Sequence, residues 1–325
     1  AAAAEAIDQA AAALAAPLEP GPWAYTGQIS GHHNHVISVA AHPTNDDLAA
    51  SGGKDSRVLI WDLAKGVATR KLKASSDPLD LCFGRGSEAE NLLIGAIDSR
   101  PDVPDSGGHV AFWDLEVGGL VCSVPQARGH VSCLHCASSG GSVLVGSMDG
   151  NVRMLDVMDG KEMWSFRTGM SDVNLVSLSC NGIYVQASGD TNETHILDVR
   201  RPGVAVHKLM HDPAHFHGRI EYVNGVSAAW CHTGPTTLVT GSDDSLVRLW
   251  DVSKGEPEVA RLHGHTSPVS CVAVSAEDEL IASGGDEGKA VLYSRRTQGK
   301  SAYLVGKEQD NVLLRQSRQD EAMGW

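Results

Sequence analysis

The sequence predicts an all-β fold of repeated four-stranded antiparallel blades, because short apolar runs recur at a fixed spacing and similar turn residues separate them. Six of these runs end in a large apolar residue, which Asp follows in five cases: Trp61, Trp113, Leu155, Leu197, Trp250 and Tyr293. The successive gaps are 52, 42, 42, 53 and 43 residues. A period of about 40–45 residues, with two lengthened units, is typical of blade arrays.

Each unit repeats the same order of strands and turns. A first strand is clearest in the third and sixth units, at Val131–Cys136 and Val269–Val274. Second strands are expected at Leu48–Gly53, Leu92–Ala96, Val143–Ser147, Leu238–Ser242 and Leu280–Gly285. Third strands are expected at Val58–Trp61, His109–Trp113, Val152–Leu155, Leu246–Trp250 and Ala290–Tyr293. Gly, Asp and Ser between β-branched runs are the usual punctuation of antiparallel hairpins.

In order, spacing and recurrence these units resemble the WD-repeat β-propeller family, from about Gln28 to Val305. The resemblance implies a six- or seven-bladed ring with few structural elements outside it. We therefore expect an Ala/Pro-rich extension at 1–22, a propeller at 23–305 and a tail at 306–325. The extension and the tail are expected to be short helices or disordered segments.

The resemblance also implies a hydrogen-bonded set in each blade, here called the blade lock, formed by a His, a Ser or Thr, an Asp and the closing Trp. In the first unit the candidates are His32 or His35 with Ser51, Asp55 and Trp61. In the fifth unit they are Thr240, Asp244 and Trp250, with His217 as a possible fourth member. In the sixth unit they are His265 and Ser283, with Glu287 and Tyr293 in the Asp and Trp places. Gly107, Val145 and Ala187 are mismatches in the second, third and fourth units. Those three blades are expected to depend more on apolar packing.

Composition narrows the possible functions. Lys and Arg number 26 against 40 Asp and Glu, a formal net charge of −14. An acidic surface repels phosphate backbones, so general nucleic-acid binding is not expected. No run of 18 apolar residues occurs, so no membrane insertion is expected. Phosphate-binding loops, nucleophile elbows and zinc-protease motifs are missing from the sequence.

Seven cysteines occur, six of them on or beside predicted first strands. Cys133 and Cys136 have the spacing of half a zinc site, but the alignment of Val131–Cys136 with Val269–Val274 explains both as ordinary strand residues. We therefore expect buried free thiols, which favour a reducing compartment. The expected location is the cytoplasm or nucleus; the interior of an organelle, after removal of a targeting peptide, is the alternative.

The fifth unit is lengthened by a histidine-rich segment. His211, His215 and His217, together with Asp212, could ligate a transition metal. The alternative is a polar surface loop in which His217 belongs to a degraded Gly-His turn. We expect a partner-facing loop that includes His215 and Phe216, with no tightly bound metal and no cofactor.

Two further features are candidate partner-binding sites. The second unit inserts Asp98–Gly108 between its second and third strands, with Arg100, Asp102 and Asp105 among its residues. Loops held on a rigid scaffold often carry binding residues. The fourth unit ends in Leu197-Asp198-Val199-Arg200, which resembles the Trp-Asp-x-Arg signature of WD-repeat substrate receptors of cullin-type ubiquitin ligases, with Arg200 in the contacting place.

The closure of the ring depends on the chain ends. Trp23–Ser30 precedes the first Gly-His turn and resembles the outer fourth strand of the last blade. With six units this strand would close a six-bladed ring and leave Ser301–Val305 spare. A seventh blade completed by the tails or by another chain is the alternative.

From these observations we expect a non-catalytic scaffold or adaptor subunit whose partners are other proteins in a multiprotein complex. Two alternatives remain: a substrate receptor of a cullin-type ubiquitin ligase, and a propeller enzyme that gathers catalytic groups around its central channel.

Overall fold

The computed structural model describes residues 30–86, 89–99, 107–125, 130–201, 203–212, 215–216, 219–220 and 226–294. Strands account for the regular structure of these residues, as the all-β prediction requires. No helix within these ranges is long and apolar enough to cross a membrane. The predicted 1–22 extension and 306–325 tail lie outside the described residues.

The first three blades each contain four strands. The first is formed by β1 (Val36–Ala41), β2 (Leu48–Gly53), β3 (Arg57–Asp62) and β4 (Val67–Lys73). The second is formed by β5 (Pro78–Phe83), β6 (Leu92–Ile97), β7 (His109–Asp114) and β8 (Gly119–Pro125). The third is formed by β9 (Val131–Cys136), β10 (Ser142–Ser147), β11 (Asn151–Asp156) and β12 (Glu162–Arg167).

The remaining blades follow the same plan, with one interruption. The fourth is formed by β13 (Val173–Leu178), β14 (Tyr184–Gly189), β15 (Glu193–Asp198) and β16 (Ala205–Met210). A short hairpin, β17 (His215–Phe216) and β18 (Arg219–Ile220), precedes the fifth blade, which is formed by β19 (Ser227–Trp230), β20 (Thr237–Gly241), β21 (Val247–Asp251) and β22 (Glu258–Leu262). The sixth contains β23 (Val269–Val274), β24 (Leu280–Gly285) and β25 (Lys289–Ser294).

Every blade is an antiparallel meander in which the strands lie side by side in chain order. The first strands of successive blades contact one another from β1 through β5, β9, β13 and β19 to β23, so they form the inner wall of the propeller. The fourth strands lie on the outside. The predicted blade array is thus confirmed.

The apolar core lies in layers between successive blades. Ala50, Val58 and Ile60 of the first blade, for example, pack against Leu93 and Trp113 of the second. Four similar clusters join the second blade to the third and so on to the sixth. Each of the second to fifth blades therefore has two buried faces, one turned to the preceding blade and one to the following blade.

At four of the five interfaces between successive blades, one position of the first strand contacts the following blade. Ser38 Oγ donates to Pro78 O at 3.0 Å, Asp80 accepts from Leu134 N at 2.8 Å, Cys133 Sγ contacts Val173 O at 3.5 Å, and Ser227 Oγ accepts from Val272 N at 3.0 Å. Cys271 has the same register position in the sixth blade. It is exposed, because no described blade follows the sixth.

The opening between the sixth and first blades leaves two sheet faces uncovered by described residues. Leu292 is 57% exposed on the sixth blade, and Val39 is 74% exposed on the first. The strand predicted at Trp23–Ser30 to close the ring lies outside the described residues except for Ser30. The expectation that all the cysteines are buried is wrong for Cys271 and also for Cys180, which lies in an exposed turn after β13.

Candidate protein-interaction surface

In the first blade the structure brings all four lock residues together. His32 Nδ1 lies 2.9 Å from Asp55 Oδ1, and His32 Nε2 lies 2.7 Å from Ser51 Oγ. Trp61 Nε1 donates to the same Ser51 oxygen at 2.7 Å. Burial raises the pKa of Asp55, but hydrogen bonds from the His33 backbone and from His32 outweigh it, so the net pKa is lowered. The other candidate histidine, His35, takes no part in this set.

The fifth blade corrects the predicted lock. Trp250 Nε1 donates to Thr240 Oγ1 at 2.8 Å, but the imidazole bonded to that hydroxyl belongs to His211, at 2.9 Å. His217, the predicted fourth member, lies outside the described residues. His211 directly follows β16, so the 212–226 segment is inserted after the lock histidine and before the first strand. Asp244 bonds to Ser242 Oγ at 2.5 Å and pairs with Arg248 instead of the histidine.

The sixth blade forms a lock with Glu in place of Asp. His265 Nε2 lies 2.7 Å from Ser283 Oγ, and His265 Nδ1 lies 2.5 Å from Glu287 Oε1. The longer carboxylate therefore reaches the same imidazole nitrogen that Asp55 reaches in the first blade.

The third and fourth blades combine apolar packing with polar contacts that the sequence did not predict. In the third, Arg153 contacts Ser147 and both carboxylate oxygens of Asp149. In the fourth, a buried chain of hydrogen bonds joins Ser177, Gln186, Ser188 and Thr194. Asp149 occupies the lock Asp position, six residues before Leu155, but it pairs with Arg153 instead of a histidine. The polar residues of the fourth blade occupy other positions than those of the blade lock.

Of the proposed metal ligands, His211 and Asp212 are described in full, whereas His217 and the side chain of His215 lie outside the described residues. His211 uses Nδ1 toward Asn192 O at 3.1 Å and Nε2 toward Thr240 Oγ1 at 2.9 Å, so both ring nitrogens are already engaged. Burial lowers the pKa of His211 to about 4, which keeps the ring neutral. No cluster of three or more metal-ligating side chains is found in the part of the chain that the structure describes.

Of the predicted partner-binding residues, the structure describes Arg200 in full. Arg100, Asp102, Asp105 and the side chains of His215 and Phe216 lie outside the described residues, although the last two form the β17 backbone. Arg200 is folded back on Asp198, with a bidentate pair at 2.9 and 2.7 Å. Its side chain is nevertheless 61% exposed.

A groove opens between the outer parts of the first and second blades. We call it the outer groove; its lining includes Lys73, Ser75, His109, Ala111, Leu120 and Ser123, and its volume is about 690 Å³. Gly107, near the end of the inserted segment, contributes to the wall of the groove.

One register position explains why the groove is open here. In each of the first five blades, the third strand ends in Asp, and the residue three positions before that Asp pairs with a residue of the fourth strand. These pairs are Leu59 with Lys71, Ala111 with Ser123, Arg153 with Ser165, His195 with Lys208, and Arg248 with Arg261. Blades spread apart with distance from the axis, and large side chains fill the widening space. The second blade has the smallest pair, so the space beside it remains empty.

The outer groove combines an apolar floor with polar walls. Ala111 and Trp113 form the buried floor, and Leu120 is 57% exposed at the side. Ser75 Oγ and His109 Nε2 are 3.0 Å apart, and the exposed Lys73 adds a positive charge. This arrangement suits a peptide with an apolar side chain next to a carboxylate.

These features define a β-propeller of WD-type repeats. The family model described as "WD domain, G-beta repeat" matches residues 23–62, 122–156, 212–251 and 256–294. Each matched stretch ends at the end of a third strand. The chain belongs to the WD40-repeat family.

The similar proteins are distant. Autophagy-related protein 16 of Arabidopsis thaliana is 23% identical over 82% of this chain, Transcription factor unc-37 of Caenorhabditis elegans 25% over 75%, and the Ribosome biogenesis protein WDR12 homolog of Oryza sativa subsp. japonica 24% over 79%. The matches cover 48%, 36% and 51% of those proteins. The solved Dos1 propeller superposes with a TM-score of 0.69 at 22% identity, covering 81% of this chain and 68% of that one.

Proposed function

We propose that this chain is a non-catalytic scaffold or adaptor in a multiprotein complex, and that the outer groove is one of its docking sites. The observation that carries the proposal is the groove itself, which opens where Ala111 and Ser123 stand in place of the larger pairs of the other complete blades. A rigid array of blades with such a groove can hold a partner while its other edges stay available.

The similar proteins support an interaction role, but they do not point to one shared cellular process. Their names refer to autophagy, transcription and ribosome biogenesis. Because one fold occurs in proteins of three unrelated processes, we infer that it serves to bind other proteins and not to catalyse a shared reaction.

Ser123→Arg, which fills the groove, tests the proposal. Ser165 is the matched control, because it has the same register position in the third blade, where Arg153 already occupies the space, and both serines are exposed. In quantitative affinity purification, Ser123→Arg should lose at least one partner that the wild type and Ser165→Arg both retain. Equal recovery of every partner by the three proteins would contradict the assignment of the groove.

The ubiquitin-ligase receptor is a second candidate, and the exposed guanidinium of Arg200 is the observation that favours it. Asp198 holds the guanidinium plane from one side and leaves part of it accessible. Arg200→Ala should then abolish binding of a purified ligase adaptor, whereas Arg201→Ala, one residue further on, should not. Binding that survives Arg200→Ala would eliminate this candidate.

A further inference from the structure

Two thiols face each other across the interface between the second and third blades. Cys82 on β5 is half-buried and Cys136 on β9 is 5% exposed, and both belong to one cluster at this interface. Cys133, three residues before Cys136, belongs instead to the cluster shared with the fourth blade and contacts Val173 O. Cys133 and Cys136, three residues apart on β9, therefore lie on opposite faces of the third blade: Cys136 on the face toward the second blade and Cys133 on the face toward the fourth.

The paired thiols line a small cavity. Its volume is about 190 Å³, and Arg85 and Phe83 also line it. Contact with Cys82 lowers the pKa of Cys136 more than burial raises it, and the charge and backbone N–H of Arg85 act in the same direction. Contact with Cys136, together with burial, raises the pKa of Cys82 well above its usual range. Cys136 is thereby the more readily deprotonated thiol of the pair, and Cys82 is the neighbouring proton donor.

We propose that Cys82 and Cys136 are an oxidisable pair that hydrogen peroxide converts to a disulfide between the second and third blades. The Cys136 thiolate attacks one peroxide oxygen, so that an S–O bond forms, the O–O bond breaks and the departing hydroxide takes up a proton to become water. The Cys82 sulfur then attacks the Cys136 sulfenic acid, forming the S–S bond and releasing the second water, which takes up the Cys82 proton. Two thiols are oxidised by two electrons in total, and one peroxide is reduced to two waters.

The disulfide would fasten two blades at the inner wall of the ring. The two cysteines are 54 residues apart in the chain, so the crosslink closes a long loop and restricts the unfolded chain strongly. Oxidation should therefore raise the melting midpoint of the full chain by roughly 5 °C or more.

The test uses the full chain with Cys180→Ser and Cys271→Ser, since these two exposed thiols would otherwise compete for the oxidant. One equivalent of hydrogen peroxide should give a crosslinked peptide pair containing Cys82 and Cys136, detected by mass spectrometry. Cys133→Ser is the control variant and should leave that crosslink intact. Arg85→Gln should slow its formation at least fivefold.

Several results would overturn the proposal. If Cys82 and Cys136 both remain available to an alkylating reagent after the peroxide is consumed, the pair is not oxidisable. A crosslink of either cysteine to Cys133 would show that the facing arrangement is wrong. A rate unchanged by Arg85→Gln would contradict the part assigned to the cation.

Discussion

Thr240 is the shared hydrogen-bond partner in the fifth blade, and its replacement by Val tests the blade lock most sharply. Val keeps the shape of the side chain but removes the hydroxyl that contacts both Trp250 Nε1 and His211 Nε2. Those residues are 3% and 4% exposed, so water cannot readily replace the lost partner. Each unsatisfied group costs about 1–3 kcal/mol, and the more apolar Val recovers part of this, so we expect a net loss of about 2–4 kcal/mol.

Urea unfolding followed by fluorescence measures this loss. Thr240→Val should lower the midpoint while the slope stays unchanged, because the surface exposed on unfolding is the same. The reverse substitution Val145→Thr is the matched control in the third blade, where Leu155 offers the new hydroxyl no donor. It should also destabilise the protein. A change of less than about 0.5 kcal/mol on Thr240→Val would refute the reasoning.

Three other outcomes are expected. The pKa of His211 is lowered to about 4 in the folded chain, so the unfolded chain binds the proton at higher pH than the folded chain does. The stability of the protein should therefore fall as pH decreases from about 6.5 to 4. His211→Gln should make the urea midpoint less dependent on pH over this range. Arg248→Met leaves the buried Asp244 carboxylate without its cation and should lower the unfolding free energy by about 3 kcal/mol in the same assay, whereas Asp212→Asn, at a 65% exposed carboxylate, should cost less than about 1 kcal/mol. Replacing the inserted loop by Asn-Gly should leave the melting midpoint within a few degrees and weaken retention of at least one partner; collapse of the fold would contradict this.

The structure refines the boundaries of that loop replacement. Asp98 lies 3.7 Å from His130, and Gly108 fits closely against Ile97 O and Val131 N, where a side chain would collide. The replacement should therefore exchange residues 99–107 and keep both flanking residues.

The sequence was sufficient for the blade order and for the first lock, because Ser51, Asp55 and Trp61 keep the regular spacing. The sequence did not identify the lock histidine of the fifth blade correctly. An insertion separates this residue, His211, from the first strand of the blade, which usually follows the histidine closely. The position of His211 just after β16, comparable with that of His265 soon after β22, was a signal that could have identified it.

Features that depend on two blades were harder to predict. The outer groove follows from the contrast between Ala111 and the larger residues at the same register in other blades, which can be seen only after every third strand is aligned. The meeting of Cys82 and Cys136 depends on which face each inner strand turns to its neighbour, and a register shift in the strand pairing decides that direction. Spacing along the chain does not contain this information.

Site-specific photo-crosslinking tests the central claim, that partners dock in the outer groove, most directly. A photoreactive residue is placed at Leu120 in the groove or at Met163 on the outer strand of the third blade; both positions are 57% exposed. The account predicts a covalent adduct with a partner protein from position 120, lost when Ser123→Arg is added, and no such adduct from position 163. Equal adducts from both positions, or an adduct at 120 that survives Ser123→Arg, would contradict it.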